Sequence, residues 1–321
     1  MSTQISFNMN IGIDMMGGDF APTEAVKGVV KYLQQHQNVA AIVFCIGDET
    51  QLIPLLQEHN ILDKVKVKHT TEVVGYNEHP TKAFKEKPNS SIVVGFKMLA
   101  AGELDAFASA GNTGAMLVGS MFNIKTIESV LRPTIASVVP KLNGGTGLLL
   151  DVGLNADCKP EQLNQFAVLG SIYAQNILGI TNPTVGLVNI GEEEGKGNLL
   201  CQATYPLLKD NIAINFIGNI EGRDFFDDKA DVMICDGYTG NIVLKMAESF
   251  YVIAAKRGFA NDDYIKRFHY ENYGGTPILG VAKPVIIGHG ISNDTAFMNM
   301  IALGTKMVET NFCGKIVKNF S

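Results

Sequence analysis

The sequence contains no tryptophan, only four arginines (Arg132, Arg223, Arg257 and Arg267) and 18% charged residues. With a formal net charge of −6, that shortage of basic side chains argues against a nucleic-acid binder, which needs a broad basic face; a local basic patch remains open. No apolar run approaches the ~20 residues of a membrane-spanning helix. Cys45, Cys158, Cys201, Cys235 and Cys313 are far apart and form no C-x-x-C pair. That spacing reads as reduced thiols of a cytoplasmic protein, not as zinc ligands or a disulfide framework. The start, MSTQISFNMN, lacks the basic-then-apolar order of a secretory signal. Walker A, G-x-G-x-x-G, H-E-x-x-H and G-x-S-x-G strings are all missing, which removes nucleotide hydrolysis, dinucleotide-dependent hydride transfer, zinc proteolysis and serine-elbow hydrolysis. No linker, repeat or low-complexity tract interrupts the chain.

What is present is a chain of 321 residues, 46% hydrophobic, with 33 glycines, long enough to bury a core without a disulfide or structural metal. Short apolar runs at Ile11–Asp14, Ala41–Gly47, Val65–His69, Asp105–Ser109, Gly147–Val152, Thr184–Ile190, Ala213–Ile217, Asp231–Cys235 and Pro284–Gly288 read as strands buried on both faces. Helical periodicity covers Ala21–Gln35, Ser90–Ala101, Glu161–Leu178 and Gly240–Arg257. The alternation predicts a single three-layer α/β/α domain, Rossmann-like, with a mainly parallel sheet in one lobe or two.

In such sheets ligands bind beyond the carboxyl ends of the strands, and almost every strand here ends in glycine beside Asn, Asp, Ser or Thr. Asp14-Met-Met-Gly17-Gly18-Asp follows the first. Ser109-Ala-Gly-Asn112-Thr113-Gly114 offers a glycine turn and then a helix start, where N–H groups could hold a phosphate; ordinary strand-to-helix turn chemistry explains it equally well. Asp151-Val-Gly-Leu-Asn155 ends another strand. GEEEGKGN sets Lys196 between glycines after three carboxylates, either a cation for an anionic substrate or a solvated charged loop, with Glu192–Glu194 open to a divalent metal or to tuning the lysine. DGYTGN supplies Asp236 as a general base and Asn241 as a donor, or caps for the following helix. His289 sits in GHGISN at the same end, structural or catalytic. Lys82, Lys85 and Lys87 form the one basic concentration, either plain solvated surface or a docking site for an acidic partner.

Taken together, IDMMGGDFAP, KPNSSIVVG, SAGNTGA, RPTIASVVP, LLLDVGLNADCKPEQLNQFAVLGSIYAQ, VGLVNIGEEEGKGN, NFIGNIEGRDFF, CDGYTGNIVLK, YGGTPILG and HGISN resemble the bacterial phosphate acyltransferase (PlsX) family nearly end to end. The resemblance implies a homodimer related in fold to phosphotransacetylases and isopropylmalate dehydrogenase-like enzymes. It implies conversion of acyl-[acyl carrier protein] and orthophosphate to acyl-phosphate, which feeds a membrane glycerol-3-phosphate acyltransferase on the route to phosphatidic acid. By motif position Lys196 and Asn241 match active-site residues of the family. The remaining assignments are Asp236 or His289 for proton handling, Asp14, Gly17, Gly18, Asn112, Thr113, Gly114 and Asn155 for phosphate or substrate, and Lys82, Lys85 and Lys87 for the carrier protein. No cofactor or metal is expected. Two departures stand out. Met15 replaces the family's alanine. The family's long helical hairpin, implicated in membrane contact, is shortened here to about 245–272, leaving Phe250, Tyr251, Ile253 and Phe259 as a residual apolar patch for peripheral membrane contact. The rival readings are a phosphotransacetylase-like enzyme that uses acyl-CoA and a non-catalytic acyl-carrier docking protein.

Overall fold

A computed structural model describes residues 9–320 of the chain. They form two compact units, one of residues 9–126, 271–276 and 281–313, the other of residues 127–270, 277–280 and 314–320.

The first unit opens with β1 (Met9–Asp14), α1 (Thr23–Gln35), β2 (Ala41–Gly47), α2 (Glu49–Glu58), β3 (Lys66–His69), α3 (Pro80–Glu86), α4 (Ser91–Ala101), β4 (Ala106–Ser109) and α5 (Thr113–Gly119). In the second unit come β5 (Thr134–Pro140), β6 (Thr146–Leu150), α6 (Pro160–Tyr173), β7 (Thr184–Val188), α7 (Leu199–Lys209), β8 (Asn215–Ile220), β9 (Val232–Ile234), α8 (Gly237–Lys256), α9 (Asp263–Lys266) and β10 (Thr276–Leu279). The chain then returns to the first unit for β11 (Val285–Ile287) and α10 (Asp294–Glu309), and α11 (Phe312–Phe320) follows.

The first unit's strands run in the order β3-β2-β1-β4-β11, every pair parallel. Helices cover both faces of this sheet. A Cβ on Gly304 of α10 would meet Ala106, Ile286 and Ile11, while one on Gly95 of α4 would strike the Phe107 ring. Ala106 and Phe107 are neighbours on β4, so they point to opposite faces. The second unit orders its strands β10-β5-β6-β9-β7-β8. Here β6, β9, β7 and β8 are parallel, and only β5 runs against its neighbours β10 and β6. Leu148, Leu149 and Leu150 are all 0% exposed, so β6 is covered on both faces, as its unbroken apolar run requires. The α/β fold with a mainly parallel sheet expected from the sequence is the fold observed.

Two strands escaped the sequence reading, β5 and β10, and they are the antiparallel partners. Pro277 inside the four-residue β10 argues against a strand on local grounds. Further along, β8 lies at Asn215–Ile220 rather than Ala213–Ile217. Its register against β7 slips between Val185 and Leu187, where Gly218 takes φ +98°, and this bulge lets the strand run on past the apolar residues. The last helical segment starts at Gly237, three residues before the expected Gly240, because Asp236 caps it. No helix among the described residues is long and apolar enough to cross a membrane.

Beyond α8 the short hairpin consists of a turn, α9 and a single 3-10 turn at Tyr270–Tyr273. Phe250 packs into a cluster with Phe226 and Phe268, at ring separations of 5.7 and 6.0 Å, and Tyr251 meets His269 edge-on at 4.4 Å. Of the four residues read as an apolar patch, Ile253 and Phe259 are the well-exposed ones. The exposed apolar stripe of α8 is instead Tyr238, Ile242 and Met246, four residues apart and therefore on one face.

Candidate active site

In the first unit, three strand-end loops meet. The Asp14 side chain, buried at the end of β1, accepts from Ser109 Oγ at 2.6 Å and from Met16 N–H at 2.9 Å. Ser109 Oγ in turn accepts from Gly111 N–H. Burial pushes the Asp14 carboxyl up, opposed by the serine and backbone donors around it. Gly17 lies so close to this network that a Cβ there would reach Asp14 Oδ2 and Gly111 N at 2.5 and 2.6 Å. Asp19 N–H donates to Gly290 O at 2.8 Å, which brings the Gly17-Gly18 turn to the loop that carries exposed His289. Asp14, Gly17, Gly18 and the SAGNTGA loop are therefore one assembly.

Asn112 serves a different purpose from the one its motif suggests. Its Oδ1 accepts from Ala115 N–H and caps α5. Its Nδ2 donates to Gly75 O at 2.9 Å, with Tyr76 O and Glu78 O at 3.3 and 3.4 Å. The side chain is a strap between two segments and has nothing left to offer a phosphate. Thr113 N–H and Gly114 N–H, at the start of the helix, have no acceptor among the described residues, and Thr113 is exposed. Asn112→Ala removes both cap and strap and is expected to destabilise the protein by about 2 kcal/mol, read as a lower urea midpoint with an unchanged slope.

Of the three lysines, Lys82 and Lys85 lie exposed on α3, which packs on α5 where Gly114 meets Pro80. Lys87 follows α3 and is bound to Glu78 at 2.7 Å and to Val73 O at 2.8 Å. The free basic pair is thus Lys82 and Lys85.

In the second unit the loops after β6 and β9 interlock. Asp151 Oδ1 accepts from Gly153 and Leu154 N–H, each at 2.9 Å, and Oδ2 accepts from Asn155 N–H and Nδ2. Burial raises this carboxyl, and the same donors counter it. Asn155 Nδ2 also reaches Pro133 O, while Asn155 O accepts from Gly237 N–H at 2.7 Å. Gly240 is obligatory here, since a Cβ would fall inside the Asp151 carbonyl oxygen. Asn241, exposed in the first turn of α8, rests over Gly153, its Oδ1 3.4 Å from where a Cβ would stand. Asp236 has Oδ1 on Thr239 N–H and Oδ2 on Thr239 Oγ1, a helix cap with both oxygens in use.

The GEEEGKGN loop is a closed structure. Asn189 Nδ2 donates to Lys196 O, and Gln202 Nε2 to Gly195 O and Gly197 O. Two of its three acids are taken by other lysines. Glu192 pairs with Lys229 at 2.6 Å, Glu194 pairs with Lys209 at 3.0 Å, and Glu193 O accepts from Asn219. The described residues contain no cluster able to hold a metal, and Lys196 itself is exposed with no ion-pair partner among them.

Asp151 belongs to this site although its motif alone assigns it no role. The signal available was its place, shared with Asp14: the last polar residue of an apolar strand, with glycine two or three positions on. Nothing in the sequence showed that Cys158, Cys201 and Cys235 gather near Asp151 and Asp236. All three thiols are raised by burial with these carboxylates adding to it, Cys158 to about 12, so none is an activated nucleophile.

These loops sit on an α/β scaffold shared with phosphate-and-acyl-transferring enzymes. A phosphotransacetylase of Streptococcus pyogenes superposes with TM-score 0.65 at 14% identity, covering 94% of each chain, and one of Staphylococcus aureus with TM-score 0.62 at 16%, again over 94% of each; at such identity the likeness is one of fold. The sequence comparisons go further. The family model described as "Fatty acid synthesis protein" matches residues 9–256 and 260–315. The phosphate acyltransferase of Halothermothrix orenii is 42% identical, covering 96% of this chain and 97% of that one, and that of Aquifex aeolicus is 42% identical over 97% and 96%. The chain belongs to the phosphate acyltransferase family, and it is an acyltransferase.

Proposed function

We propose that the protein transfers the acyl group of acyl-[acyl carrier protein] to orthophosphate, releasing acyl-phosphate and the free carrier, as a supply for phospholipid (phosphatidic acid) synthesis. The observation that carries this reading is Lys196, an uncommitted cation on a pinned glycine loop at the carboxyl end of a parallel sheet, in a chain of this family. Lys196 neutralises the phosphate dianion. A phosphate oxygen attacks the thioester carbonyl; the new C–O bond forms as the C–S bond breaks, and the pantetheine sulfur leaves as thiolate and takes up a proton. Asn241 donates to the oxyanion that develops on the carbonyl oxygen. Phosphate is a competent nucleophile once positioned, so no acyl-enzyme is needed, and the inactive state of Cys158, Cys201 and Cys235 accords with direct transfer.

Lys82 and Lys85 are the docking residues for the acidic carrier, with Lys87 occupied by Glu78. A cytoplasmic homodimer with peripheral access to the membrane, where a glycerol-3-phosphate acyltransferase consumes the product, completes the proposal. The exposed Tyr238, Ile242 and Met246 stripe is apolar surface available for such contacts. The test is thiol release from a palmitoyl carrier-protein thioester and, in parallel, from palmitoyl-CoA, each with and without orthophosphate. Phosphate-dependent release with strong preference for the carrier thioester is expected. Preference for CoA points to the phosphotransacetylase-like alternative, and no phosphate-dependent release to a docking protein.

A further inference from the structure

Two of the most exposed apolar side chains in the second unit flank Lys196. Ile190 is 80% exposed and Leu199 is 84% exposed, although each sits beside a buried or pinned neighbour. The loop's own closure sets the backbone beside each of them against the segment that carries Lys196. Asn189 Nδ2 reaches Lys196 O at 3.1 Å, and a Cβ on Gly191 would meet Lys196 Cγ at 3.2 Å. Gly197 lies against Asn189 and Cys201. Ile190 lies between Asn189 and Gly191, and Leu199 two residues after Gly197, so both stand at the neck of a loop whose crown carries the free cation. Cys201, in the first turn of α7, feels the charge of Asp236, the cap of α8.

An isolated exposed isoleucine or leucine is ordinary. A cation with no partner, bracketed by two such side chains on a loop pinned by Asn189 and Gln202, is a surface of two chemistries at fixed spacing. That pairing complements an anionic amphiphile, with a charged head for Lys196 and a hydrocarbon tail for the apolar pair. A second copy of the chain is a poorer occupant, because it would bury the ammonium of Lys196 on a loop where Glu192 and Glu194 are already paired.

We propose that Ile190 and Leu199 seat the hydrocarbon tail of the acyl group and make this loop the determinant of acyl-chain preference. The inference rests on the proposed acyl-phosphate chemistry for the identity of the head group, but its test needs no turnover. The full-length protein is titrated with butylphosphonate and decylphosphonate by calorimetry, alongside the Ile190→Ser/Leu199→Ser double variant and Lys196→Ala. Decylphosphonate is expected to bind the parent much the tighter of the two. The double variant is expected to lose about tenfold or more of that decyl-over-butyl ratio. Lys196→Ala should weaken both ligands by a similar factor and keep the ratio. An unchanged ratio in the double variant overturns the proposal. So does a double variant that keeps the ratio but changes sedimentation from that of the parent, which assigns the two residues to a contact between copies. A failure of the proposed reaction shows up separately, as absent phosphate-dependent thiol release in the parent.

Discussion

Lys196→Ala is expected to cut phosphate-dependent acyl transfer roughly 100- to 1,000-fold and to leave the melting temperature within about 2 °C of the parent. The two halves of that expectation come from the same observation. The ammonium of Lys196 makes no ion pair among the described residues, while Glu192 and Glu194, earlier in the same loop, are held by Lys229 and Lys209. Removing it therefore breaks nothing that supports the fold. The loop itself is closed by Asn189 and Gln202 acting on backbone carbonyls, and an alanine at 196 leaves those bonds in place. What is lost is a compact positive charge at the point where a dianion must be held and then passed to a carbonyl carbon. Lys196→Arg sharpens the point. The guanidinium keeps the charge but spreads it over a planar fork on a different stem, so partial activity is expected, with the loss showing as a higher KM for phosphate. Full activity in Lys196→Ala at sub-saturating phosphate would sink the assignment.

The central parallel strands were legible because they are covered on both faces and so largely apolar, as Leu148–Leu150 on β6 shows; the edge strand β3, KVKH, is mostly exposed. The antiparallel strands were not legible. β5 carries Thr134 and Ser137, β10 is four residues long with Pro277 inside, and their pairing is a tertiary fact with no local periodicity of its own. The same division runs through the site. Which loops carry function could be read from glycine beside Asn, Asp and Ser at strand ends. What each polar side chain does there could not. Asn112 takes its acceptors from Gly75 to Glu78, more than thirty residues earlier, and a sequence scan has no reason to look there. Lys87 was counted with Lys82 and Lys85 because they are neighbours in sequence, but the turn after α3 swings it onto Glu78. Asp236 has the residue type of a general base, and its oxygens also accept from Thr239 N–H and Oγ1. In each case the residue type was right for the chemistry and the local partner decided its use.

Lys141 gives the complementary expectation, a large effect on stability with none on the reaction. It follows β5, is 2% exposed, and places its ammonium 2.7 Å from Asp231 Oδ1, with the largely exposed Asp228 at 3.2 Å. The partner carboxylate also receives Thr184 N–H and Oγ1 on Oδ2. Asp231 and Thr184 stand just before or at the start of β9 and β7, so this cluster lies at the amino ends of the parallel strands, away from the loops that carry Lys196, Asn241 and Asp151. Lys141→Met keeps the apolar stem, deletes the charge and strands a half-buried carboxylate. Because Asp231 retains its threonine bonds and some solvent, the cost falls at the low end for a broken buried pair, about 3 kcal/mol. Partial burial pushes the Asp231 carboxyl up, but the bonds from Lys141 and Thr184 and the lysine's charge outweigh it and hold the group below its ordinary 3.8. A carboxyl lowered in the folded state contributes stability that is present above its unfolded value and lost as pH falls through the folded one. The parent should therefore lose this contribution only below about pH 4. In Lys141→Met the contribution is already gone at neutral pH, so the deficit between the two proteins should narrow on acidification. Urea midpoints at pH 7 and in steps down to the acid limit of solubility measure it, and a deficit that widens toward low pH contradicts the ion-pair account. Specific activity per folded molecule should match the parent at temperatures where both are native, which separates the role of this lysine from that of Lys196.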